Sequence, residues 1–211
     1  MRDHIRPYGH RTYVISIRAM EARYIRFKRG DESSISLQVS EYPSERIYTW
    51  EAALLLAAYL FHHSDSIVKD KRVIEIGCGT GLCGLMAAQL GAKEVIMTDR
   101  NQPLSIEIVH SSIITNNLQR NCVVRPLEWP FFYGVNTQQT SLSPSSINHV
   151  YCDDADGESI AASMLCDVIL AADVFYSQDT IELAMITIGK DPPISVSCEC
   201  LLYVVSIYNG I

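Results

Sequence analysis

No stretch of this 211-residue chain approaches the roughly 18 consecutive apolar residues that a membrane-spanning helix needs. The apolar run 52–61 is too short, and His62 and His63 follow it, so no membrane association is expected. Paired metal-binding cysteines are also missing. Cys78, Cys83, Cys122, Cys152, Cys166, Cys198 and Cys200 form no Cys-x-x-Cys pair. Their odd number and irregular spacing fit reduced thiols in an intracellular protein better than a disulfide framework or a zinc site. A positive charge balance is absent too. Seventeen Lys and Arg against 24 Asp and Glu give −7, which argues against direct binding to nucleic acid backbones. No internal repeat is present. What remains, 48% hydrophobic and 19% charged residues, is ordinary for one globular domain long enough to bury a core.

The charge is unevenly placed. Within residues 1–30, Arg2, Arg6, Arg11, Arg18, Arg23, Arg26, Lys28 and Arg29 face only Asp3 and Glu21, a local +6 that leaves −13 for the rest. Residues 1–21 are therefore read as a solvated, partly frayed basic segment. A transit peptide is disfavoured by the two acids, and a contact surface for an acidic partner is the remaining alternative.

Two strand-like stretches follow, 24–28 and 35–39. The second alternates Ile35, Leu37 and Val39 with Ser36 and Gln38, as a half-buried strand does. Gly30 and Asp31 lie between them, so an N-terminal β-hairpin is expected. A helix is expected over 50–63, with Thr49 as N-cap. Strands and helices then alternate: strands at 72–76, 95–98, 123–125, 167–171 and 201–208, helices at 84–90, 103–117 and 178–188. This order implies a mostly parallel α/β sheet flanked by helices, Rossmann-like in layout. Residues 134–163, rich in Ser, Thr, Gln and Asp, lack periodicity and read as a disordered insertion.

The densest motif is Glu75-Ile-Gly77-Cys-Gly79-Thr-Gly81-Leu-Cys-Gly84, a strand running into a glycine turn that opens a helix. Glycine lets a ligand approach the backbone closely, and the helix N-terminus beyond presents free N–H groups. Two ligand classes use such a layout. Gly79-x-Gly81-x-x-Gly84 matches the dinucleotide fingerprint, with Asp99 about twenty residues on as a ribose-binding acid. Acid-x-Gly-x-Gly-x-Gly, here Glu75 to Gly81, is the pattern of S-adenosylmethionine enzymes. The latter ligand has no phosphate, so an acid beside the loop is tolerable, and it can hold the cationic methionine end directly or by fixing the loop. Asp99 would accept from the ribose hydroxyls in either case.

Further landmarks fall in order: Tyr48-Thr-Trp50, Thr98-Asp99-Arg100, Leu127-Glu-Trp129 and Leu170-Ala-Ala-Asp-Val-Phe-Tyr176. With these the chain resembles the methyltransferase-like family of seven-β-strand protein methyltransferases, over roughly residues 22–190. The resemblance implies a class I methyltransferase domain over residues 22–211 and S-adenosyl-L-methionine as cofactor. It implies a protein substrate, a histone or a chaperone, and residence in cytoplasm and nucleus. It assigns Trp50, Glu75, Gly77, Cys78, Gly79, Asp99, Trp129 and Ala172 to the cofactor, and Asp173 and Tyr176 to the methyl acceptor. Each has a plainer alternative: Trp50 as core, Trp129 as a loop anchor, Tyr176 as packing for the next helix, Asp99 and Asp173 as turn caps.

Methyl transfer is in-line displacement at a carbon its sulfonium already activates, so the protein supplies positioning and electrostatics. Asp173, at the carboxyl end of a strand, would orient the acceptor nitrogen and take its proton, and Tyr176 would flank a cation. Two departures stand out. No paired glutamate clamp lies near the fourth strand. Asp153, Asp154, Asp156 and Glu158 sit in the irregular insertion and read as a solvated loop. Relatives also continue past the fifth strand, so a truncated C-terminal end of the sheet is expected here. A nicotinamide-dependent oxidoreductase and a non-catalytic binding module are the competing functions.

Overall fold

A computed structural model of the chain describes residues 4–8, 12–19, 22–29, 33–127, 166–174 and 196–205. The expected insertion at 134–163, the helix at 178–188, Trp129 and Tyr176 lie outside the described residues.

Short apolar runs build the central sheet. Strands β5 (Arg72–Ile76), β6 (Glu94–Asp99), β7 (Cys122–Pro126), β8 (Cys166–Ala172) and β9 (Val196–Val205) lie in the order β7-β6-β5-β8-β9. Every neighbouring pair is parallel. Parallel strands covered on both faces carry apolar residues at successive positions rather than at every second one. In β5, Val73, Ile74, Glu75 and Ile76 are accordingly all buried. The chain enters at β5, steps to β6 and β7 on one side, then crosses to β8 and β9 on the other. That reversal between β5 and β8 opens a crevice at their carboxyl ends, where ligands of open α/β sheets bind.

Among the described residues, three helices cover one face. α1 (Glu51–Ile67) lies over β8 and β9, α2 (Leu82–Gln89) over β5 and β6, and α3 (Pro103–Thr115) against β7. α1 runs four residues beyond the expected His63, through a non-helical φ/ψ at that residue. Gly91, at φ 89°, lies in the turn that stops α2. The other face of the sheet is buried through Ile74, Ile76, Ile96 and Ile169.

A third layer closes the helices from outside. The expected hairpin is formed by β3 (Ala22–Arg29) and β4 (Ser34–Ser40), and it belongs to a four-stranded antiparallel sheet. β1 (His4–Tyr8) and β2 (Thr12–Ala19) extend it within the segment read as solvated. Backbone pairing to β3 draws that basic stretch into the fold. On the inner face Ile25, Phe27, Leu37 and Val39 join the core of helices and central sheet. Phe27 meets Phe61 of α1 with ring centroids 6.3 Å apart. β4 is an edge strand, and an open edge leaves unpaired amides. Asn116 answers this at the end of α3. Its Oδ1 accepts from Gln38 N at 3.0 Å and its Nδ2 donates to Gln38 O at 2.6 Å. Ser40 N donates to Ser112 Oγ at 3.0 Å.

One cap expectation is corrected. Trp50, not Thr49, is the N-cap of α1, and it offers no side-chain bond. The Thr49 hydroxyl is engaged instead with Thr80 Oγ1, 3.0 Å away.

Candidate cofactor and acceptor site

The glycine loop leaves β5 at Gly77 and enters α2 at Gly81. Gly77, Gly79 and Gly81 all have left-handed φ values of 62°, 55° and 78°, a conformation that costs a side-chain-bearing residue about 1–2 kcal/mol. The glycines divide by what they face. A Cβ on Gly84 would lie 2.4 Å from Met97 Cγ and 2.8 Å from Glu75 Oε2, and one on Gly81 2.9 Å from Met97 Sδ. These two exist for close packing of α2 on β6. A Cβ on Gly79 would meet nothing within 4 Å. Gly79 therefore borders open space, a cradle that a side chain would fill.

The loop is held from both sides. Cys78 N donates to Thr98 O at 2.9 Å and Gly81 N to Cys78 O at 2.8 Å. Asp99, at the end of β6, accepts from Gly79 N through Oδ2 at 2.7 Å and from Arg100 N through Oδ1 at 2.8 Å. Each carboxylate oxygen has a second lone pair, so Asp99 retains capacity for hydroxyl donors in the crevice.

Glu75 takes the inward role of the two open to it. It is 2% exposed, and its Oε2 accepts from Gly84 N at 2.8 Å. Gly81, the N-cap of α2, has no side chain to cap with. Glu75 thus caps α2 from the preceding strand, satisfying an N–H that would otherwise be orphaned. Burial pushes its carboxyl up to about 8, against the lowering effect of the Gly84 and Cys83 hydrogen bonds. With Oε2 turned to Gly84 N, it braces the loop from beneath. It also occupies an amide at the helix N-terminus that a pyrophosphate would need, which disfavours the dinucleotide reading. Cys78 and Cys83 are buried free thiols, and burial pushes both well above the ordinary thiol range.

Across the switch point, β8 ends in Ala172 beside the loop, since Ile76 and Ala171 are register partners. Ala172 and Asp173 are half-buried. Asp173 has φ 58°, an uncommon conformation for a residue with a side chain, of the kind that collects at functional sites. Trp50 is 50% exposed at the start of α1, its ring 4.5 Å from that of Tyr48. It is not core. Of the expected site residues, Trp50, Gly77, Cys78, Gly79, Asp99, Ala172 and Asp173 thus lie at loops or element ends. Glu75 lies beneath them, and Trp129 and Tyr176 are outside the described residues. Sequence reading missed Arg23, Glu41 and Thr80, buried polar residues that reach Thr49. For Arg23 and Glu41 the sequence signal is a charge within or next to an apolar strand pattern, which means little until its partner is known, and Thr80 is an uncharged residue between two glycines.

The chain matches the lysine methyltransferase family over residues 31–154, more than half its length, and it belongs to that family. Among its relatives is the human histone-arginine methyltransferase METTL23, 33% identical over 173 residues, covering 74% of this chain and 77% of that protein. This meets the narrower resemblance, to methyltransferase-like protein 23, that Phe27–Tyr48 and Ala172-Asp-Val-Phe175 suggest. The Xenopus laevis METTL23 is 28% identical over 167 residues, 78% of this chain. The chain spans 60% of that relative's length. The mouse protein N-lysine methyltransferase METTL21A is 32% identical over 143 residues, 66% of this chain and 52% of that one. Among solved structures, coclaurine N-methyltransferase bound to N-methylheliamine and SAH aligns with a TM-score of 0.46 and 17% identity. The alignment covers 75% of this chain and 39% of that one. The cofactor that family membership brings is S-adenosylmethionine, and the open cradle at Gly79 beside Asp99 fits it.

Proposed function

We propose that the chain is an S-adenosylmethionine-dependent protein N-methyltransferase acting on an arginine side chain, with a histone as the first substrate to test. Lysine is the alternative acceptor. The observation that carries the reading is the division of the glycines. Gly81 and Gly84 serve packing, while Gly79 borders open space with Asp99 on its amide. The METTL23 relatives support arginine and histone, and the METTL21A relatives support lysine.

When bound, the cofactor supplies a methyl group on a sulfonium. The chain's own residues do the rest. Backbone at Gly77, Cys78 and Gly79 would seat the methionine part, and Asp99 would accept from the ribose hydroxyls. Trp50 and the Ala172 backbone would bound the pocket, and Trp129 is assigned to it by the family resemblance alone. Glu75 keeps the loop in shape. Asp173, just past the end of β8 and beside the loop, orients the acceptor nitrogen and receives its proton. A lysine amine must first shed a proton, its ordinary pKa being about 10.4. An arginine stays charged and needs a carboxylate to align its planar guanidinium. Tyr176 is assigned to the acceptor side by the family resemblance alone. The protein acts in cytoplasm and nucleus, which fractionation of cells expressing it would check.

The test is incubation of the full chain with S-adenosylmethionine and core histones, the methylated residue being located by mass spectrometry. Methylarginine is expected on the histone. Asp173→Asn should abolish transfer while S-adenosylhomocysteine still binds. Transfer left intact by that variant would remove Asp173 from the chemistry. Methyllysine alone would select the alternative acceptor.

A further inference from the structure

Four buried polar residues from separate parts of the chain meet behind the glycine loop. Arg23 sits on the inner face of β3, and Glu41 follows β4; they are 7% and 1% exposed. Arg23 Nη1 lies 3.5 Å from Glu41 Oε1. Both grip the same residue. Arg23 Nη1 donates to Thr49 O at 3.0 Å, and Thr49 N donates to Glu41 Oε1 at 2.8 Å. The Thr49 hydroxyl then meets Thr80 Oγ1 at 3.0 Å, and Thr80 stands between Gly79 and Gly81. Thr49 itself precedes Trp50, where α1 begins.

We propose that Arg23, Glu41, Thr49 and Thr80 are positioning residues for the cofactor: a buried charged clamp that sets the start of α1 against the glycine loop. The proposal rests on the reading of that loop as the S-adenosylmethionine seat.

Three physical arguments support it. First, a buried ion pair is a poor source of stability, because desolvating both charges offsets their attraction. Apolar residues of the same volume often serve as well or better. Geometry is what such a pair supplies, and here it fixes both backbone groups of a single loop residue. Second, Thr80 lies between two glycines that both have left-handed φ. Such a segment has unusual backbone freedom. Asp99 restrains it through Gly79 N, on the side of β6. The Thr80 hydroxyl restrains it on the side of α1. Third, Trp50 and the loop come from different elements, and cofactor contacts made by both require a fixed separation. The clamp spans that separation and carries it back to the antiparallel sheet. That layer thereby gains a role in binding besides covering the helices.

The test measures S-adenosylhomocysteine affinity by titration calorimetry on the full chain, alongside thermal stability. Thr80→Val should weaken binding about ten-fold, and Thr80→Ser, which keeps the hydroxyl, should stay within about two-fold of wild type. Thr49→Val combined with Thr80→Val removes both polar partners together, a change that can be nearly neutral for stability. If the pair serves only the fold, this double variant recovers affinity along with its melting temperature. If it positions the loop, stability recovers and affinity stays about ten-fold low. Glu41→Gln should weaken binding in the same direction. In turnover with S-adenosylmethionine, the effect should fall on KM with kcat within about two-fold. Wild type that binds while Thr80→Val and the double variant bind equally well would overturn the clamp alone. A wild-type chain that binds no S-adenosylhomocysteine would overturn both the clamp and the reading of the loop.

Discussion

Replacing Glu75 with glutamine removes a titration while keeping a shape. The glutamine carbonyl can still accept from Gly84 N, as Glu75 Oε2 does at 2.8 Å, and it cannot ionise. In the wild type, burial raises the folded carboxyl to about 8, against about 4.3 for an unperturbed glutamate. Below about pH 4 both folded and unfolded chains hold the proton, and the group's contribution is fully present. Between about 4 and 8 only the folded chain keeps it, so stability falls as pH rises, by up to about 1.4 kcal/mol per pH unit. Above about 8 the loss levels off. The whole window amounts to a few kcal/mol, a large share of the roughly 5–15 kcal/mol that holds a domain. Urea unfolding of both proteins at pH 5, 6, 7, 8 and 9 measures it, other titrating groups cancelling in the difference. Glu75→Gln should gain on wild type steadily from pH 5 to 8 and hold its lead at pH 9. Parallel curves across that range would refute the buried, proton-holding carboxyl.

Other expectations concern the glycines and the acid at the end of β6. Gly84→Ala pushes a methyl to 2.4 Å from the fully buried Met97 and should cost about 1–3 kcal/mol. Its melting temperature should fall by several degrees and recover in part when Met97→Ala is added. Gly79→Ala meets no atom within 4 Å and should cost only the left-handed strain of about 1–2 kcal/mol. Its S-adenosylhomocysteine affinity should nevertheless drop by ten-fold or more, which calorimetry beside a thermal melt would separate. Asp99→Ala removes the acceptor of Gly79 N as well as the ribose partner, and affinity should fall by at least ten-fold.

Legibility in the sequence followed the range of the forces involved. β5, β6 and β8 read directly as short apolar runs, because burial on both faces needs no knowledge of partners. The glycine turn read directly as well, since its backbone demands are local. The cap of α1 did not. Thr49 obeys the local rule for an N-cap, but its hydroxyl is claimed by Thr80, 31 residues away. Residues 12–19 were read by their charge, whereas pairing to β3 makes them a strand. Arg23 and Glu41 each look like a surface charge alone, and only the fold shows them buried together. Glu75 was legible as an acid beside the loop. Its orientation toward α2 required the observation that Gly81 leaves that helix without a cap.

The cradle at Gly79, with Asp99 on its amide, is shaped for an adenosyl sulfonium and not for a dinucleotide. Calorimetric titration of the full chain with S-adenosylhomocysteine and, separately, with NAD tests it most directly. One-to-one binding of S-adenosylhomocysteine, weakened ten-fold or more in Gly79→Ala, is expected, with no heat of binding from NAD. Saturable binding of NAD with none of S-adenosylhomocysteine would contradict it.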